Sequence, residues 1–229
     1  MTARPAFYAL RQGGWRDYVT LLHPPYTLWH LSYVALGAAL APHMDWPLLG
    51  WTALAFFLAL GIGAHALDEL QGRPLQTLIP TRVLVSLAIL SIGAACAIGC
   101  VIAVERTLWL LAFVAVGAFI VVAYNLELLG GAFHGAFWLA AAWGSFPVLT
   151  AYFAATHTLS PIAVVAAIYA FAMLWVQRLL STPVRAVRRK PASEVTDAQR
   201  AFAPSAERAL KALVVWNVCV GIAALLARA

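Results

Sequence analysis

The stretch PLLGWTALAFFLALGIGAHALDELQGRPL, residues 47 to 75, decides the fold class. From Pro47 to Leu67 it carries no Asp, Glu, Lys or Arg, and a bilayer crossing takes ~20 such residues. It then closes on His65, Asp68, Glu69 and Arg73. Ionisable groups at the end of an apolar run are costly there, which makes them functional candidates by default.

The rest of the chain repeats the apolar theme. Of 229 residues, 63% are apolar and 10% charged, and mean hydropathy is +0.85. Further apolar runs cover residues 26 to 41, 80 to 104, 107 to 124, 132 to 155, 159 to 180 and 209 to 227. Together with 47 to 67 they predict an all-α polytopic membrane bundle of about seven transmembrane helices, forming a single membrane domain over residues 1 to 229. The formal charge of +6 sits between apolar runs, where basic residues set topology, so nucleic acid is not an expected partner.

Thirteen of the fifteen Lys and Arg residues fall on one side of that seven-helix layout. They are Arg4, Arg11 and Arg16 before the first helix, Arg73 and Arg82 in the second connection, and the group from Arg178 to Lys211. Arg106 and Arg228 remain on the other side. The positive-inside rule then places the N-terminus in the cytoplasm and the C-terminus outside, with a bacterial inner membrane as the expected location. No compact apolar segment with a small-residue cleavage site opens the chain, so the mature protein is expected to begin near Met1.

Residues 1 to 24 mix Phe7, Tyr8, Trp15 and Tyr18 with Arg11, Arg16 and Asp17 and predict an interfacial segment. Residues 181 to 208, with Pro183, Pro191, Pro204 and much of the charge, predict a basic cytosolic loop containing at most one short helix. Cys96, Cys100 and Cys219 lie inside apolar runs without metal-ligand spacing and read as packing residues.

If the helix continues through Glu69, His65, Asp68 and Glu69 are spaced i, i+3 and i+4 on one face, near Arg73. Two carboxylates and an imidazole there would suit a hard cation such as Mg²⁺, which bridges carboxylates to phosphates. The alternative is a helix end with snorkelling charges and an Asp68/Arg73 pair. In YNLELLGGAFHGAFW, residues 124 to 138, Tyr124, Asn125 and Glu127 close one helix and His134 opens the next. Glu127 has no basic neighbour in its own connection, so it needs a metal or an arginine from elsewhere. Gly131 and Gly135 have the form of a close-packing helix face, and His134 reads as a ligand or as a hydrogen-bonded interface residue. Pro147 predicts a kink, with neighbouring helices or Ser145 satisfying the freed carbonyl.

These stretches resemble the UbiA-type intramembrane prenyltransferases. LLHPPYTLWHLSYVALGAALA, residues 21 to 41, is similar to the family's first helix, HALDELQGRPL to its first Asp-rich motif, and YNLELLGGAFHGAFWLAAAWGSFP, residues 124 to 147, to its fourth helix, glycine-rich turn and fifth helix. The resemblance implies a bundle with a central cavity whose cytosolic rim binds an isoprenyl diphosphate through Mg²⁺. Asp68, Glu69 and His65 would then be catalytic, with one ion at most. His65 stands where the family's first aspartate is usual, and QRLLSTPVRAVRRK, residues 177 to 190, lacks the second acidic motif. Arg73, Tyr124, Asn125, Arg178, Arg185 and Arg188 would contact diphosphate, since guanidinium groups pair with phosphate without metal.

Three readings follow. One is a prenyltransferase moving an isoprenyl chain to a lipophilic acceptor. Another is a non-catalytic relative holding a quinone, carotenoid or other lipid, or serving in a larger complex. The third is a metal enzyme in which His65, Asp68, Glu69, Glu127 and His134 converge.

Overall fold

The computed structural model describes residues 5–229, so Arg4 lies outside the described residues. They form helices and connecting turns without strands. In chain order the helices are α1 (Trp15–Leu21), α2 (Pro24–Ala39), α3 (Trp46–Leu70), α4 (Thr81–Arg106), α5 (Leu110–Asn125), α6 (Ala136–Thr156), α7 (Pro161–Arg189) and α8 (Asp197–Leu226). Five of them, α3, α4, α6, α7 and α8, are long and apolar enough to cross a membrane. The helices α2 and α5 have 16 residues each, about 24 Å at ~1.5 Å per residue, short of a ~30 Å hydrocarbon core.

Successive helices run in alternate directions between two ends of the bundle. The basic end gathers α1, the end of α3, and the connections before α4, α6 and α8. One group of helices packs α2 against α6 and α8, with α7 across α6 and α8. A second group packs α3, α4 and α5 together and joins the first through contacts of α2 and α6 with α3.

Close approach depends on glycines that read as ordinary apolar-run residues in the sequence. A Cβ at Gly144 would stand 2.6 Å from the Ala170 carbonyl oxygen, and one at Gly37 would collide with the Val148 carbonyl. Gly131 and Gly135, expected as a packing face, are different: a Cβ at either would meet nothing within 4 Å. Gly131 has φ of +80° and Gly130 of +67°, so both serve a turn that L side chains resist.

The apolar bundle holds a polar hub. Asn217 of α8 is 1% exposed, and its Oδ1 accepts from Tyr33 Oη and Tyr169 Oη, each at 3.0 Å. Trp29 Nε1 donates to Tyr33 Oη at 2.5 Å, so α2, α7 and α8 are joined by one chain of hydrogen bonds. In hydrocarbon such groups must find partners within the protein.

Both π-helical stretches, Phe57–Ala64 in α3 and Ala140–Ser145 in α6, lie inside spanning helices. Pro147 follows the second and has no N–H to give the Trp143 carbonyl. His30 of α2 donates its Nδ1–H to that oxygen at 3.1 Å. Of the two donors expected for this task, Ser145 turns to the Ala167 carbonyl of α7 at 2.8 Å. The donor that the proline lacks is therefore supplied by a neighbouring helix.

The expected loop over 181 to 208 is largely helical. Helix α7 runs on through Pro183 to Arg189, and α8 starts at Asp197 behind a reciprocal capping box made by Thr196 and Gln199. Ser181 and Thr182 hydroxyls donate to the Arg178 carbonyl just before the proline turn. Arg188 of α7 pairs with Glu207 of α8, which also holds Lys211 at 3.2 Å. At the opposite end Arg106 bonds Asp45 at 2.6 Å, and Arg228 donates to the Ala41 and Pro42 carbonyls, each at 2.6 Å. Of the cysteines, Cys100 and Cys219 are exposed rather than packed inside.

Gly144→Val should lower the thermal midpoint in detergent, by about 1–3 kcal/mol of stability. Gly135→Ala should leave it nearly unchanged, and similar losses from both would contradict this account of the packing.

Candidate functional site

The end of α3 divides the residues that share its face. Glu69 is 0% exposed, and both of its oxygens are engaged by the connection that follows. Oε2 accepts from the Leu75 amide at 2.9 Å, and Oε1 accepts from the Thr77 amide and hydroxyl, each at 2.8 Å. These three donors meet both oxygens from within the protein, so the carboxylate's hydrogen-bonding capacity is used by the connection itself. Glu69 thus organises the connection.

Asp17 in α1 acts on the same segment, accepting from the Gly13 and Leu78 amides at 3.0 and 2.9 Å. Gln12 donates to the Gln76 carbonyl at 2.6 Å. The N-terminal segment is therefore bonded to the bundle, while Trp15 and Tyr18 remain exposed. Arg73 does not pair with Asp68. Its guanidinium donates to the Ile79 carbonyl at 2.6 Å and the Thr81 hydroxyl at 3.0 Å, closing the connection onto the start of α4.

Asp68 faces a different set of partners. It lies within electrostatic range of Glu69, His134, Arg185 and Arg178, the last three drawn from the approach to α6 and from α7, and forms no ion pair with them among the described residues. Arg178 and Arg185 are seven positions apart on α7, two turns along one face. Tyr124, at the end of α5, lies within electrostatic range of both arginines and of Asp68. Its ring stacks on His134 at 4.6 Å and lies 4.7 Å from Trp143. Tyr8 and Tyr26 complete the group, with the Tyr8 ring 5.1 Å from His23 and 5.7 Å from Tyr26.

His65 belongs to this end as well. Its Nδ1–H donates to the Gly61 carbonyl at 3.1 Å, and its ring stacks on His23 at 3.9 Å between centroids. His134 donates through Nδ1 to the Tyr124 carbonyl at 3.0 Å. In each case the carbonyl fixes the tautomer, so a neutral ring keeps an unprotonated Nε2. His23 Nε2 and Gln177 Oε1 are buried without a hydrogen-bond partner. Burial pushes the His23 imidazole well below its ordinary value of 6.5, and His65, His30 and Arg185 add to the shift.

The remaining expected residues lie apart. Glu127 is on the surface, its side chain 55% exposed and 3.9 Å from His134, so water rather than a buried partner meets most of its charge. Asn125 turns back on its own helix, donating to the Val121 carbonyl at 2.7 Å. Arg188 is held by Glu207. Among the described residues no group of three or more His, Cys, Asp or Glu is arranged to hold a metal ion.

Sequence reading missed His23, Gln177, Tyr8 and Tyr26 as members of this group. One signal was present in HPP, residues 23 to 25: His23 caps α2 with φ of 45°, a left-handed conformation that is strained for a non-glycine residue. Arg73, Gln76, Glu127 and Leu129 share positive φ at the same end of the bundle. Comparison with protein-family models, with curated proteins and with solved structures gives no match.

Glu69→Ala should cost about 1–3 kcal/mol, since it leaves buried amides unpaired, and should open residues 71 to 80 to limited proteolysis. A variant as resistant as the parent would contradict this role. For His23 the folded state holds a neutral ring while the unfolded chain takes up a proton near 6.5. Stability therefore falls as pH drops below that value. His23→Asn should give a shallower fall between about pH 7 and 5, read from thermal midpoints.

Proposed function

We propose that this chain is a UbiA-type intramembrane transferase that binds an isoprenyl diphosphate at the polar cluster. In this reading α2 and α5 join the five longer helices as seven crossings, with the basic end in the cytoplasm. The observation that carries the reading is the placing of Arg178 and Arg185 within electrostatic range of Asp68 and Tyr124. Two guanidinium groups beside aromatic faces suit a diphosphate joined to an allylic chain.

Because both Glu69 oxygens are engaged, Asp68 is the acidic donor left at the end of α3. A single carboxylate fits Mg²⁺, which takes its other ligands from phosphate oxygens and water. Asp68 would hold that ion, which would supply neutralisation of the departing diphosphate. Arg178 and Arg185 pair with the phosphate oxygens as the bond from allylic carbon to oxygen breaks. The electron pair leaves with the diphosphate, the faces of Tyr8 and Tyr124 shield the carbon centre, and a lipophilic acceptor forms the new bond.

Glu69's engagement also favours a second reading, a non-catalytic protein of the same kind that retains an isoprenoid lipid. Pyrophosphate release from farnesyl and geranylgeranyl diphosphate, with and without Mg²⁺, tests the first. Metal-dependent release is expected, reduced at least about 100-fold by Asp68→Asn or Arg185→Ala. Absence of release with folded protein across donor lengths overturns the transferase reading, and a copurifying lipid retained in Asp68→Ala supports the second.

A further inference from the structure

The hydrogen bonds that tie the N-terminal segment to the bundle begin at Leu10, whose amide donates to the Thr20 hydroxyl at 3.0 Å. Gln12 and Asp17 add theirs to the connection after α3. Residues 5 to 9 are held differently. Their one amide bond is local, from Ala9 to the Ala6 carbonyl at 3.2 Å, and among the described residues no hydrogen bond or ion pair joins them to another element.

What holds this turn is its two rings. Phe7 lies 6.2 Å from Tyr26, while Tyr8 lies 5.7 Å from Tyr26 and 5.1 Å from His23. Lys211 of α8 stands over the Phe7 ring at 5.2 Å. Contacts of this kind are individually weak. The turn nonetheless rests on the polar cluster, since Tyr8 is within electrostatic range of Asp68, Arg185 and Arg188. Both rings are half-buried, whereas the His23 Nε2 beside Tyr8 is buried without a hydrogen-bond partner. An unpaired nitrogen of that kind penalises the arrangement that encloses it.

We propose that residues 5 to 9 form a movable cover over the polar cluster, anchored at Leu10, with Phe7 and Tyr8 as its inner face and Lys211 as its catch. Closed, the cover screens Asp68 and the arginines and leaves His23 Nε2 unpaired. Open, it gives water or a polar headgroup a path to the cluster from the basic end of the bundle. Weak ring contacts favour the first state and an unsatisfied nitrogen favours the second, so a small change in either shifts the balance. The cover is a property of the chain itself and does not require the transferase reading.

The test is modification of His23 by diethyl pyrocarbonate, which attacks neutral imidazole, followed by mass spectrometry on the full chain in nanodiscs at one pH. His43 and His157, both exposed, serve as internal standards. Phe7→Ala with Tyr8→Ala should raise the His23 rate at least about tenfold, with the thermal midpoint and the rates at His43 and His157 as in the parent. Lys211→Met removes the cation from Phe7 and leaves the rings in place, and it should raise the His23 rate about threefold. Equal His23 rates in the double alanine variant and the parent would overturn the cover. A midpoint that falls in that variant would overturn it too, because the rings would then belong to the core. An unchanged rate in Lys211→Met would overturn the balance between two states.

Discussion

A polar group inside hydrocarbon has no water to turn to, and this bundle is arranged around that constraint. Asn217 meets it by accepting from tyrosines on two other helices, and the Trp143 carbonyl meets it through His30. Neither bond is local in sequence. Each fixes the position of one helix against another, which apolar packing among side chains as greasy as lipid tails does weakly. The glycines at 37 and 144 then let the backbones approach as closely as those bonds require.

At the basic end the same constraint separates two neighbouring carboxylates. Glu69 is absorbed by the amides of the connection it precedes, whereas Asp68 is left within electrostatic range of arginines and a histidine from other elements. The difference between a structural acid and a candidate functional one is a single position along α3. Strain gathers around them, with His23, Arg73, Gln76, Glu127 and Leu129 in left-handed conformations. Residues held that way persist where surrounding bonds over-determine them, as the bonds from Asp17, Gln12 and Arg73 do for the segment after Glu69.

Much of the helical layout was legible in the chain. The run from Pro47 to Leu67 reads as a crossing because its length and lack of charge leave few other solutions. The stretch from 181 to 208 was not legible, because Pro183 and Pro204 signal breaks, yet both lie inside long helices. The Thr196 and Gln199 capping pair was a local signal for the start of α8, outweighed by proline and charge. Within the candidate site, the residue types at 65 to 69 marked the right end of the bundle, but spacing alone joined Glu69 to Asp68.

Sequence by itself determined the class of molecule, the segments that are helical and apolar, and the crowding of positive charge toward one set of connections. Those properties are sums over neighbouring residues, and a sum needs no knowledge of what lies across the bundle. Tertiary structure decided the partners: Asn217 with Tyr33 and Tyr169, His30 with the Trp143 carbonyl, Glu69 with Thr77, and Arg188 with Glu207. Hydrogen bonds and ion contacts depend on distance and direction, and helices far apart in the chain acquire both only when they pack.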